Sequence, residues 1–163
     1  MVKTAYILVL IILLSACGNG KQTGPADVKW DRDSCKRCQM MLSERNFSAQ
    51  VRVFAPEKRS QVYKFDDIGC AVLWLYKEGL YKEGSNLSYS NDPKTEIWVN
   101  DFKTRNWINA KQAWFIKGVI TPMGYGLGAQ KEKTDDAINF DEAVKHIYLV
   151  EKKLNIHGGN LEH

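Results

Sequence analysis

Four sulfur-bearing side chains lie within the stretch SCKRCQMM, residues 34–41, which holds Cys35, Cys38, Met40 and Met41. The chain has only four cysteines and four methionines among its 163 residues, so half of each type falls in this one segment. Thiolates and thioethers are soft donors, which select soft metal ions such as Cu(I) over hard cations. The segment therefore predicts a soft-metal site, a redox-active cysteine pair or a disulfide.

The alternatives for this cysteine pair differ in what must surround it. Covalent haem attachment needs CxxCH, and Gln39 occupies the histidine position, which excludes that interpretation. A thioredoxin-like pair needs its CxxC at the start of a helix that follows a strand, whereas this motif precedes a predicted strand. Structural zinc needs four ligands, and only Cys70 and three histidines without paired spacing remain to complete them. A plain Cys35–Cys38 disulfide suits an oxidising compartment, but it leaves Met40 unexplained.

A Cu(I) site would use the methionines as well. Side chains of an extended segment alternate with period two, so Cys38 and Met40 are expected to meet one metal ion from the same side. A third donor could be Met123, in the loop TPMGYG of residues 121–126, where glycines allow close approach of the backbone. The competing role of Met123 is packing, because methionine often fills core space.

The N-terminus predicts where these sulfurs are located. Residues 5–14 form an apolar run of ten, which suits a signal peptide and is shorter than the roughly 20 residues of a transmembrane helix. The run ends in Leu14-Ser15-Ala16-Cys17, which resembles the site at which bacterial lipoproteins are cleaved and lipidated. We therefore expect a signal peptide over 1–16, a lipidated Cys17 and a flexible tether over 17–26. The protein would be anchored in the cell envelope and face the periplasm, and Gly18 favours the outer membrane in a diderm cell.

Charge and motif content narrow the function classes. The formal net charge is +4 and charges of both signs are interspersed, which does not indicate a nucleic-acid partner. The chain contains no Walker or dinucleotide-binding motif, and no histidine accompanies an evident nucleophile motif. We therefore expect a binding protein rather than an enzyme.

Hydrophobic periodicity predicts the elements that hold the sulfurs. FSAQVRVF alternates apolar and polar residues, which indicates a half-buried strand, and a polar loop separates it from a returning strand. A helix is predicted to begin after Asp66 as its N-cap and to end at Gly79. The predicted order of this first part is strand 47–54, strand 61–65, helix 67–78 and strand 95–99.

Three residues near the start of that helix are predicted to be structural. Cys70 lies among apolar neighbours, so we expect it to be buried and inert. Asp66 and Asp67 are expected to cap the helix rather than to bind a metal, because carboxylates suit hard ions.

The second half of the chain predicts a looser copy of the same order. Its predicted strands cover residues 107–108, 113–116 and 129–133, and a helix follows with Asp141 as its cap. The whole pattern predicts an α+β fold, either one compact domain or two small lobes that would cover residues 27–101 and 102–157.

These features together are similar to the NosL family, copper-binding lipoproteins encoded with nitrous oxide reductase. The resemblance rests on the lipobox, CxxCxM, the FSAQV strand, the FDDI helix start and the PMGYG loop, and it covers most of residues 17–150. It departs at Gln39, where the family usually carries glycine. The resemblance implies two ββαβ lobes and Cu(I) bound by Cys35, Cys38, Met40 and Met123.

The resemblance also implies partners. They are nitrous oxide reductase, whose copper centres would receive the ion, and an ABC-type membrane complex that assists its maturation. Because a Cys35–Cys38 disulfide would abolish the thiolates, a thiol reductase is a further expected partner. The membrane would be contacted through the lipid on Cys17.

Overall fold

A computed structural model describes residues 23–55, 58–77 and 89–154. Within these ranges lie six strands, two α-helices and two 3-10 turns. The strands are β1 (Ala49–Val53), β2 (Gln61–Phe65), β3 (Glu96–Asn100), β4 (Trp107–Asn109), β5 (Trp114–Lys117) and β6 (Leu127–Gln130). The helices are α1 (Ile68–Lys77) and α2 (Phe140–Leu154), and the 3-10 turns are Tyr89–Asn91 and Ala110–Gln112. The predicted α+β class is confirmed.

Strand β1 is one of the two inner strands of a four-stranded antiparallel sheet of order β2-β1-β3-β4. All five of its residues are buried, so the predicted half-buried strand is wrong in that respect. The face of β1 that carries Gln50 and Arg52 is covered by residues 24–26. The Ala26 N–H donates to the Gln50 side chain at 2.8 Å, and the Arg52 side chain donates to the Gly24 carbonyl at 2.8 Å. Gly24 and Ala26, near the end of the predicted tether, are thus hydrogen-bonded to the sheet, and residues 17–22 of that tether lie outside the described residues.

The second half of the chain forms a two-stranded sheet, β5 with β6, followed by α2. Strand β4 lies beyond the predicted lobe boundary at residues 101/102, yet it pairs with β3 in the first sheet. Among the described residues, this part runs β5, β6 and α2, and the last strand of the expected ββαβ order would fall after Leu154, outside the described residues. A three-residue strand such as β4 is too short for its sequence to indicate which sheet it joins.

The two parts share one hydrophobic core. Buried residues of β1, β3 and α1 join buried residues of the second part, among them Phe115, Ala143 and Ile147. Helix α1 contacts β1, β2 and α2. The cysteine loop and the start of α1 are thus held against one common core.

The N-cap residue of each helix differs from the one predicted, although Asp67 was also expected to take part in capping. Asp67, not Asp66, caps α1, because its carboxylate accepts from the Cys70 N–H at 3.1 Å. Asn139, not Asp141, caps α2, where Asn139 and Glu142 exchange two hydrogen bonds of 3.0 Å in a capping box. Neighbouring Asx residues have similar capping preferences, so the sequence cannot separate them.

Within the described ranges, no helix is both long and apolar enough to span a bilayer. The predicted signal peptide and Cys17 lie outside the described residues, as does the predicted helix end at Gly79.

Candidate metal site

The CxxC segment is a tight turn fixed by backbone hydrogen bonds. The Cys35 N–H donates to the Met40 carbonyl at 2.8 Å, and the Gln39 N–H donates to the Cys35 carbonyl at 3.0 Å. Gln39 has a φ of 64°, in the left-handed region that favours glycine. The expected extended conformation over residues 38–40 is therefore wrong, because this left-handed residue reverses the chain.

This turn is attached to the junction between β2 and α1. The Lys36 N–H donates to the Lys64 carbonyl at 2.8 Å, which aligns the turn with the end of β2. Two residues, Asp66 and Asp67, connect β2 to α1, and Cys70 lies in the first turn of that helix. The junction thus brings the CxxC turn to the N-terminus of α1.

Three thiols meet at this junction. The Sγ atoms of Cys35, Cys38 and Cys70 all lie within 4.8 Å of one another. Cys35 and Cys70 are fully buried, Cys38 is partly exposed, and all three are free thiols. Cys70 is buried as predicted, but its place beside two other sulfurs does not support an inert role. Sequence reasoning missed this third sulfur, since no short spacing connects it to the CxxC motif.

The electrostatics favour one thiolate in the cluster. The pKa of Cys35 is lowered to about 5, and the largest cause is the hydrogen bond from the Cys70 thiol. The N–H groups of Cys38 and Asp66 lower it further, whereas burial opposes the shift. The pKa of Cys70 is raised, because its thiol is hydrogen-bonded to Cys35 and Cys38 and is buried near Asp67. Cys35 therefore holds the negative charge while Cys70 keeps its proton.

Two aspartates lie at this junction, and one of them contacts a thiol. The Cys38 thiol donates to the Asp66 Oδ2 at 3.3 Å, so the predicted capping role of Asp66 is wrong. Asp67 caps α1 as predicted. Burial raises the pKa of both carboxyls to about 6. Asp66 is thus a carboxylate next to the three sulfurs, in contact with one of them.

The glycine-rich loop packs on the same helix start. The Met123 N–H donates to the Asp67 carboxylate, and the Thr121 hydroxyl donates to its Oδ2 at 3.1 Å. The ring of Tyr125 lies directly on Gly69, where an added Cβ would be within 2.6 Å of three ring carbons. Met123 is partly buried against the core. The structure thus brings the loop of Met123 to the helix turn that carries Cys70.

A buried polar chain connects this loop to the CxxC turn. The Tyr125 hydroxyl donates to Glu151 of α2 at 2.7 Å, and the Arg37 guanidinium donates to the same carboxylate at 3.0 Å. Arg37 and Glu151 are both nearly buried, so this ion pair is shielded from solvent. Because Arg37 lies between the two cysteines of the motif, the pair fixes the turn to the C-terminal helix.

The two methionines beside the motif are on the solvent side. Met40 is 52% exposed and Met41 is 57% exposed. Thioether ligation by Met40 and Met123 stays a prediction.

The donor set fits a soft metal ion. Three sulfurs with one preformed thiolate match the two or three soft ligands that Cu(I) accepts. A tetrahedral zinc site would need a fourth donor, for which Asp66 is the nearby carboxylate.

Two comparisons with known proteins gave a match. The family model NosL matches residues 27–149. Among solved structures, the chain is similar to the copper chaperone NosL from Shewanella denitrificans, with 18% sequence identity and a TM-score of 0.47. That match covers 76% of this chain and 87% of the solved one. No curated protein matches the sequence.

Proposed function

This chain belongs to the NosL family, and we propose that it is a copper chaperone that carries Cu(I) as cargo on Cys35, Cys38 and Cys70. The observation that carries the proposal is the meeting of these three Sγ atoms within 4.8 Å. The lowered pKa of Cys35 favours a thiolate among them. Soft sulfur donors favour Cu(I), and a low coordination number leaves room for an acceptor's ligand to enter. This role is ion transport and requires no catalytic group.

Two thioethers are further donors proposed for this site. Met40 directly follows the turn that carries Cys38, and Met123 lies in the loop bonded to the helix start below Cys70. We propose that one or both donate to the ion during loading or release, as the sequence resemblance implies.

The cellular role is proposed from the sequence. We propose a lipid anchor on Cys17 in the cell envelope, facing the periplasm, and delivery of copper for the centres of nitrous oxide reductase with its ABC-type maturation complex. The lipobox-like segment Leu14-Ser15-Ala16-Cys17 and the likeness of CxxCxM to the family motif support this role. A thiol reductase would keep the three cysteines reduced in an oxidising compartment.

Zinc is the second candidate ion, because Asp66 lies beside the three sulfurs and could complete a Cys₃Asp tetrahedron. Cu(I) is favoured over zinc by the preference of soft ions for a purely sulfur donor set.

The test is anaerobic Cu(I) titration of the reduced full chain in detergent against a chromogenic Cu(I) chelator, with Zn(II) as competitor. We expect one Cu(I) per chain, no displacement by Zn(II), and weaker binding after Cys35→Ser, Cys38→Ser or Cys70→Ser. Met40→Leu tests the thioether, and Met41→Leu is its control because the two side chains are similarly exposed. Absence of Cu(I) binding, or displacement by equimolar Zn(II), would contradict the proposal.

A further inference from the structure

We propose that the three sulfurs have different roles, in which Cys35 and Cys70 retain the ion and Cys38 is the ligand that an acceptor replaces. The incoming ligand would be a soft donor of the acceptor, such as a thiolate, a thioether or an imidazole. This inference rests on the proposed Cu(I) function of the site.

The retained pair is defined by burial and by backbone bonds. Neither Cys35 nor Cys70 has any solvent-exposed surface. Both backbone groups of Cys35 are hydrogen-bonded: its N–H donates to the Met40 carbonyl, and its carbonyl accepts from the Gln39 N–H. Cys70 is held in the first turn of α1, where its N–H donates to Asp67. Neither sulfur can leave the site unless the turn or the helix start opens.

Cys38 differs from this pair in exposure and in surroundings. It is the partly exposed member of the three and belongs to the turn that Gln39 reverses. In its place within 4.8 Å of the other two Sγ atoms, the Cys38 thiol also donates to the Asp66 carboxylate at 3.3 Å. A displaced Cys38 therefore has a hydrogen-bond partner that keeps it beside the site. The half-exposed Met40 and Met41 follow it on the surface that an acceptor would approach.

The exchange step needs no change of oxidation state. A donor atom of the acceptor forms a bond to Cu(I), the Cu–S bond to Cys38 breaks, and the metal remains Cu(I). The released thiolate takes a proton from water, and an incoming thiol gives its proton to water. Such a step proceeds through an added ligand, so it occurs where the ion can be reached from solvent, which is the edge occupied by Cys38.

The first test is the rate of copper transfer from the loaded full chain in detergent to excess bathocuproine disulfonate. The wild-type rate is expected to rise with chelator concentration. Cys38→Ser is expected to keep one Cu(I) per chain and to transfer it at least roughly tenfold faster, a factor that corresponds to 1.4 kcal/mol in the barrier. Cys35→Ser and Cys70→Ser are expected to weaken equilibrium binding more than Cys38→Ser does. Met41→Leu is the control and should leave the stoichiometry unchanged.

A second test uses only the wild-type chain, so it does not depend on the folding of variants. In copper-loaded protein, iodoacetamide should modify Cys38 first while Cys35 and Cys70 stay protected, as read by peptide mass mapping. Equal modification of the three thiols, or equal loss of copper in the three serine variants, would overturn the division of roles and leave Cu(I) binding intact. A wild-type chain that binds no Cu(I) would instead overturn the proposed function, and this inference with it.

Discussion

Replacement of Gly69 by alanine is expected to destabilise the protein by about 2 kcal/mol through a single contact. The new Cβ would lie within 2.6 Å of three carbons of the Tyr125 ring, whereas ordinary van der Waals contact is 3.4–4 Å. The ring cannot easily retreat, because it is buried and its hydroxyl is bonded to Glu151 and Arg37. Overpacking of a core costs about 1–3 kcal/mol, and we expect the upper end here. The better helix propensity of alanine offsets up to about 1 kcal/mol.

The assay is guanidinium denaturation of protein lacking residues 1–22, followed by tryptophan fluorescence. A double-mutant cycle isolates the contact. In a Tyr125→Ala background, Gly69→Ala should become neutral or slightly stabilising, because the ring is gone and only the propensity gain remains. In a Tyr125→Phe background it should stay costly, since the ring is kept and only the hydroxyl is lost.

Two results would refute this reasoning. One is a Gly69→Ala variant as stable as the wild type. The other is the same loss of stability in the Tyr125→Ala background as in the wild type, which would show that the ring is not responsible. If Tyr125→Ala does not fold, the wild-type and Tyr125→Phe backgrounds still show whether Gly69→Ala destabilises the protein.

Three further predictions concern the surroundings of the site. Arg37→Ala removes the cation from the buried Glu151 carboxylate and should lower the free energy of unfolding by about 3–5 kcal/mol. The double variant with Glu151→Gln should recover part of this loss. If chemical denaturation shows the same loss in the single and the double variant, the ion pair is not its cause. Burial raises the pKa of Asp67 from 3.8 to about 6, so between those pH values the folded state keeps a proton that the unfolded state has lost, and stability falls as pH rises. Asp67→Asn should remove up to about 3 kcal/mol of that pH dependence, and an unchanged slope of unfolding free energy against pH would contradict it. Gln39→Gly should have a higher melting temperature than Gln39→Ala, because a non-glycine residue at φ 64° destabilises the fold by about 1–2 kcal/mol. If the alanine variant melts at the higher temperature, the turn is not strained.

Features that depend on neighbouring residues were predicted correctly from the sequence, whereas features that depend on residues distant in sequence were not. Strand β2 was predicted with both ends correct, and α1 with its start one residue early, because alternation and capping are local signals. The burial of both faces of β1 was not predicted, since it depends on chain 24 residues or more away that bonds to Gln50 and Arg52. The pairing of β4 with β3 was not predicted, because three residues are too few to show a hydrophobic periodicity.

The sequence by itself determined the soft character of the site, the CxxC pair, the helix that carries Cys70 and the membership of residues 27–149 in the NosL family. Residue types and short spacings are enough for these, because donor softness and helix periodicity are properties of the local chain. Only the tertiary structure decided that Cys70 joins Cys35 and Cys38 and that Cys38 is the one with access to solvent. Both depend on how the CxxC turn packs on the junction of β2 and α1, and packing between segments distant in sequence leaves no spacing signal in either of them.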